Sequence, residues 1–217
     1  MSETQNVLFS KIAKTIATID TKTISKKRTL ILNELTKYIQ LRIAQNKKVC
    51  LTFICTHNSR RSHLAQVWAQ SIAHHFLIKD VFCFSAGTEA TSVYPVVIET
   101  LKDCGFKVNV KLGEKNPVYA IQFSDRSNPI NCFSKTIEDK RNPKSEFCAV
   151  MTCAEANEYC PMVTGAEIRI PLTYEDPKAY DNSPIQKEKY KERSIQIATE
   201  MYYVFSKVVT KLNLQLH

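Results

Sequence analysis

Four short apolar runs, Val49 to Ile54, Val81 to Ser85, Phe147 to Thr152 and Glu167 to Leu172, are separated by stretches of helical periodicity at Ser62 to Leu77 and Tyr94 to Asp103. Strands that alternate with helices pair in parallel, because each return crossing carries a helix that then covers one face of the sheet. The expected fold is therefore α/β, a mostly parallel sheet flanked by helices on both faces, closed by a long C-terminal helix over Lys187 to Lys211. Ligands of such folds bind outside the carboxyl ends of the strands, so residues just past a strand end are the first place to look for chemistry. With 217 residues and 44% hydrophobic content, the chain can bury one substantial core.

The first such end carries Cys55-Thr56-His57-Asn58-Ser59-Arg60-Arg61-Ser62, directly between an apolar run and a helical pattern. A helix N-terminus after a strand is an anion site: backbone N–H groups converge and the helix dipole adds positive potential. Arg61 brings a planar fork that can hold two oxygens of a tetrahedral oxyanion, and the same field favours a cysteine thiolate, the nucleophilic form. A buried cysteine followed by surface arginines is the alternative, and strand, loop, Asn58, Ser62 and helix together favour a catalytic loop.

Past the third run stand Cys153 and Cys160, with Glu155, Asn157 and Glu158 between them and Pro161 after. A straight helix would hold thiols at this spacing about 10 Å apart, so the two meet only if the segment loops or partly unwinds. Zinc is a competing chemistry, but close cysteine pairs and a suitably spaced histidine pair are missing, so no metal is expected. Two inert structural thiols are the other alternative. After the fourth run, Asp176-Pro177 places a carboxyl on a loop where it can protonate a leaving group, with Pro177 biasing Asp176 toward extended geometry.

Cys-x2-Asn-x2-Arg-Ser between first strand and first helix resembles the signature of low-molecular-weight protein tyrosine phosphatases and of the thioredoxin-coupled arsenate reductases that share their fold. Ser85-Ala86-Gly87-Thr88-Glu89 after the second strand and Asp176-Pro177 fit the same resemblance. It implies that Cys55 is the nucleophile and Arg61 the oxyanion clamp. Asn58 would shape the loop, Ser62 stabilise the thiolate and Asp176 serve as the acid, while Thr56, His57, Ser59 and Arg60 complete the oxyanion-binding loop. Cys153 and Cys160 would be the second and third members of a redox triad. No bound cofactor is implied, only an external thiol reductant such as thioredoxin, with arsenate or a phosphate-type oxyanion as substrate. His57 stands where the family commonly has Gly, and Arg60 stands where a second Cys is common and adds a cation at the rim. Lys178-Ala179-Tyr180 replaces the tyrosine pair that often follows the acid in the phosphatases. Three functions stay open: a thiol-dependent arsenate reductase, a phosphatase working through a phosphocysteine, and a non-catalytic oxyanion or phosphopeptide sensor.

Two segments fall outside this resemblance. Residues 1–46 read as a helical extension before a catalytic domain at 47–217. Leu8, Ile12, Ile16 and Ile19 mark one amphipathic helix, and Ile31, Leu35, Tyr38, Ile39 and Arg42 a second, joined through Lys26-Lys27-Arg28. Their apolar faces must be buried somewhere, on the core or on a second subunit in preference to a membrane surface, so a homodimer is one of the expectations. Phe106 to Asp125 reads as a hairpin inserted around Gly113-Glu114-Lys115-Asn116. The chain carries a net charge of +9, much of it in residues 1–48, where ten Lys or Arg face three Asp or Glu. No nucleic-acid motif accompanies this charge, which reads as a solvated helical face. No run approaches the roughly 18 apolar residues of a membrane span, and the polar start, Met1 to Asn6, does not resemble a signal peptide, so a cytoplasmic protein is expected. Eight unevenly spaced cysteines fit reduced thiols, with Cys50, Cys83, Cys104, Cys132 and Cys148 in packing roles.

Overall fold

A computed structural model describes residues 8–160 and 162–214; the polar start at Met1 to Asn6 and the expected helix stop at Pro161 lie outside them. In chain order the elements are α1 (Ser10–Ala17), α2 (Lys26–Ala44), β1 (Val49–Cys55), α3 (Arg61–His75), β2 (Val81–Gly87), α4 (Pro95–Asp103), β3 (Lys107–Leu112), β4 (Val118–Gln122), β5 (Ile130–Cys132), β6 (Phe147–Met151), α5 (Ala154–Tyr159), β7 (Ala166–Ile170) and α6 (Gln186–Leu214).

The four apolar runs form one parallel sheet in the order β2-β1-β6-β7. β1 sits inside it, paired from Val49 with Val81 to Cys55 with Gly87 on one side and from Leu51 with Cys148 to Ile54 with Met151 on the other. Covered on both faces, β1 and β6 are continuous apolar strands and not alternating ones. Cys55 thereby ends the central strand at the crossing between its neighbours.

β2 is an edge strand, but side chains engage several of its outward backbone groups. Gln70 accepts from Cys83 N and donates to Val81 O, Gln66 donates to Cys83 O, each at 2.9 Å, and Lys135 Nζ donates to Ser85 O at 2.5 Å. At the strand end Gly87 exchanges backbone hydrogen bonds with Lys135 O and Ile137 N.

The N-terminal helices share the main core. Leu8, Ile12 and Ile16 around α1, and Leu32, Leu35, Tyr38 and Ile39 of α2, cluster with β1, α3 and α6. Leu32 takes the buried position expected of Ile31, which is only partly buried. Lys26-Lys27-Arg28 is the first turn of α2 and not the joint between helices; the joint contains a 3-10 turn at Thr21–Thr23. Nor is the basic charge wholly solvated. Arg42 is buried and donates to Lys48 O and Glu167, while Arg28 pairs with Glu200 of α6. Between Phe106 and Asp125 the chain makes the antiparallel pair β3–β4, and β5 extends it to three strands. Among the described residues, no helix is long and apolar enough to cross a membrane, and no His/Cys/Asp/Glu group is arranged to hold a metal ion.

Candidate active site

The turn after β1 is held from outside through its carbonyls. Cys55 O accepts from Thr88 N, Thr56 O from Glu89 N, and Ser59 O from Tyr94 N. His57 O accepts from the Ser134 hydroxyl at 2.8 Å and Asn58 O from His63 Nε2 at 2.8 Å. In a trans peptide the C=O and the following N–H point in opposite directions. Five consecutive carbonyls pinned outward therefore turn the intervening N–H groups toward the inside of the loop, which is the construction of an anion nest. The left-handed residue of the turn is Asn58, with φ 45°, and not His57; asparagine accepts that region more readily than other residues with a Cβ. Gly87 makes the close fit possible, since a Cβ there would lie 2.6 Å from Thr56 O and 2.7 Å from Asn58 N.

The side chains continue this bracing. Asn58 Nδ2 donates to Ser62 Oγ at 2.9 Å, and its Oδ1 accepts from Lys135 N at 2.9 Å. Because Ser62 Oγ already accepts from Asn58, its own hydrogen is free for Cys55 Sγ, 3.1 Å away. His63 is fully buried, which pushes its imidazole down to about 3, with Lys135 adding to the effect. It is neutral, donating from Nε2 to Asn58 O with Nδ1 3.2 Å from Ser85 Oγ. Lys135 is itself buried, its ammonium pushed down to about 8 by lost hydration.

Arg61, the first residue of α3, is buried. It donates from Nη1 to Tyr174 O at 2.9 Å and from Nη2 to Asp176 Oδ2 at 2.5 Å, while its buried Nε–H has no partner. Clamp and acid candidates thus stand in direct contact, and Asp176 is fixed further by Lys178 N on Oδ1. The Arg60 side chain leaves the rim. Its Nε donates to Tyr190, its Nη2 donates to Asp181 at 2.6 Å, and its guanidinium lies 4.0 Å over the Tyr94 ring. An aromatic and carboxylate pocket outcompetes solvent for a planar guanidinium, so only the backbone of Arg60 faces the loop.

Cys153 caps α5, accepting from Ala156 N, and its sulfur lies 3.4 Å from Thr56 Oγ1 of the loop. It is buried in one small apolar cluster with Cys55, against which the half-buried Cys160 packs. Cys160 ends α5, with its thiol donating to Met162 O at 3.3 Å. The segment between the two thiols is thus wound into a helix in this state, and its last carbonyls, Asn157 O and Cys160 O, accept from Arg169. All eight cysteines are free.

Residues 50–124 match the family model for low molecular weight phosphotyrosine protein phosphatase. The chain is 27% identical over 142 residues to an arsenate reductase of Halalkalibacterium halodurans, which covers 65% of this chain and 83% of that relative. The chain is thus similar, over part of its length, to the low-molecular-weight phosphotyrosine phosphatase and arsenate reductase family. With an arsenate reductase of Staphylococcus aureus the identity is 40% over 62 residues, 29% of this chain and 44% of that relative, so this match spans less than half of the relative's length. Among solved structures, a low molecular weight protein tyrosine phosphatase from T. tengcongensis aligns with a TM-score of 0.49 and 19% identity, over 74% of this chain and 99% of that one. These likenesses support an enzyme over a sensor.

The braces of the loop were not visible beforehand. Ser134 and Lys135 lie far along the chain from Cys55, and no local pattern marks them. His63 had a local signal, since it adjoins Ser62 on the buried first turn of α3.

Proposed function

We propose that the protein is a thiol-dependent arsenate reductase in which Cys55, Cys153 and Cys160 act in turn. The observation that supports this reading over plain hydrolysis is the contact of Thr56 Oγ1 with the Cys153 sulfur, which sets a second thiol against the nucleophile's own loop. The Cys55 thiolate attacks arsenate held by the loop N–H groups and Arg61. Asp176 protonates the departing oxygen, and an As–S bond forms. For the oxyanion to take the Arg61 fork, the Asp176 contact must be exchanged, which frees the carboxyl for that proton transfer. Cys153 as thiolate then attacks Cys55 Sγ, and the two electrons of the As–S bond leave with arsenite. Cys160 attacks Cys153, returning Cys55 as thiolate and leaving a Cys153–Cys160 disulfide for an external dithiol such as thioredoxin to reduce. That last exchange requires α5 to unwind, since its ends hold the two sulfurs.

Hydrolysis of phosphate monoesters is the second reading, supported by the family match at residues 50–124. It uses the same Cys55, Arg61 and Asp176, with water attacking the phosphocysteine. Arsenate reduction and aryl phosphate hydrolysis measured on one preparation separate the two. Arsenate reduction dependent on added thioredoxin is the expected result; hydrolysis with no reduction would replace the first reading by the second.

A further inference from the structure

The loop that carries Asp176 belongs to no strand, and its position depends on side chains that reach it from elsewhere. Tyr174 N donates to Thr152 O beyond the end of β6, and Arg61 donates to Tyr174 O. A third hold comes from the N-terminal extension. Arg28, in the first turn of α2, donates from Nη1 to Thr173 O at 2.9 Å and lies 4.6 Å over the ring of Tyr174. Its other two nitrogens form a fork on Glu200 of α6, Nε to Oε1 at 2.7 Å and Nη2 to Oε2 at 2.8 Å. The guanidinium therefore has its direction fixed by Glu200 and hands the remaining edge to the acid loop. Tyr174 lies between two arginines, Arg28 on its ring and Arg61 on its carbonyl, two residues before Asp176.

Stability alone accounts poorly for this arrangement. Glu200 is 3% exposed and Arg28 17% exposed in their side chains, and a pair so far removed from water spends most of its attraction on lost hydration. A planar fork with both edges engaged fixes orientation well. No other residue of the described extension donates to the segment that leads to the acid.

We propose that Arg28, held by Glu200, is a positioning residue for the general acid, so that the N-terminal extension is a working part of the active site. The proposal rests on the reading of Asp176 as acid. It adds that the loop bearing Asp176 is aimed by a helix that precedes the residues matched to the family model. Removing the brace displaces the carboxyl from the leaving oxygen while Cys55, the loop N–H groups and Arg61 remain in place.

The test is a double-mutant cycle of Arg28→Met and Asp176→Asn on the full chain, with aryl phosphates of good and poor leaving groups and with arsenate. Arg28→Met is expected to slow a poor leaving group roughly 10- to 100-fold, the scale of a misplaced catalytic group, and a good one by less than about threefold, because proton donation matters little there. In the Asp176→Asn background the same change should add almost nothing for the poor leaving group or for arsenate. Arg28→Lys, which keeps the charge but not the two-edged fork, should show a smaller loss of the same pattern and serves where the Met variant does not fold. If Asp176→Asn discriminates between leaving groups while folded Arg28 variants lower both alike, or add fully to Asp176→Asn, the positioning role is overturned and the acid stands. Without leaving-group discrimination in Asp176→Asn, or with neither activity in the parent, the functional reading fails and takes the brace with it.

Discussion

The turn at Cys55–Ser62 and the segment at Cys153–Cys160 both follow central strands, yet they are built to opposite ends. Around the first, five carbonyls, the Asn58 amide and the Ser62 hydroxyl are all engaged, with partners from α3, the 88–94 connection between β2 and α4, and the 134–135 segment. The second is a six-residue helix, with Tyr159 82% exposed and Met162 86% exposed at its far end. A cavity for a fixed tetrahedral ion gains from rigidity, because its donors need no rearrangement when charge develops. A thiol that must travel to a partner gains from an element that opens at little cost. On the proposed reduction mechanism, preorganisation and mobility would be divided between two neighbouring strand ends.

The largest expected effect strikes the rigid side. Cys55→Ser should abolish arsenate reduction and aryl phosphate hydrolysis together, since a serine hydroxyl is not ionised at neutral pH; turnover left in either assay would move the nucleophile elsewhere. On the mobile side, Cys153→Ser and Cys160→Ser should each end multiple-turnover arsenate reduction while keeping aryl phosphate hydrolysis within about threefold of the parent. Peptide mapping after a single turnover of Cys160→Ser should find Cys55 joined to Cys153 and one equivalent of arsenite. Should both variants reduce arsenate normally, the division between the two regions has no chemical meaning.

Acid tests the rigidity of the loop itself. The unfolded chain protonates His63 near 6.5, whereas the folded chain does so only near 3. Its share of stability is therefore complete above pH 6.5 and drains as the pH falls toward 3, on the order of 5 kcal/mol across the window. Denaturation in urea at stepped pH should show this slope in the parent and a flatter one in His63→Gln. Gly87→Ala should cost about 1–3 kcal/mol by pressing a methyl on the loop, with a loss of oxyanion affinity that a calorimetric titration with phosphate would detect. The smallest effect belongs to Arg169→Met. Freeing the last carbonyls of α5 should cost about 1 kcal/mol and speed hydrogen exchange at Asn157–Cys160 while leaving the Cys55 turn protected.

How far the sequence led differs between the same two regions. The loop motif was legible because its eight residues are contiguous and its chemistry depends on residue types at fixed spacing. The sheet was legible because buried parallel strands are unbroken apolar runs. What bound the loop was not, since Ser134, Lys135, Tyr94 and Thr88 reach it only through the fold. Arg60 read as a rim cation because nothing local shows that Asp181, Tyr94 and Tyr190 assemble a pocket for it. β5 escaped notice because three residues, Ile-Asn-Cys, make no period. The positions of Arg28 and Arg42 were hidden for a related reason: an arginine on a helical face looks solvated until a distant carboxylate claims it.

The side chains along β2 have a consequence for the molecule's company. An outer strand normally offers its unspent amides and carbonyls as a template on which a second polypeptide can lie down. Here Gln66, Gln70 and Lys135 occupy those places, and the backbone of Lys135 and Ile137 completes them at Gly87. The sheet has in effect grown a counterfeit neighbour out of its own glutamines and lysine. A foreign strand laid along this margin would have to displace those side chains first.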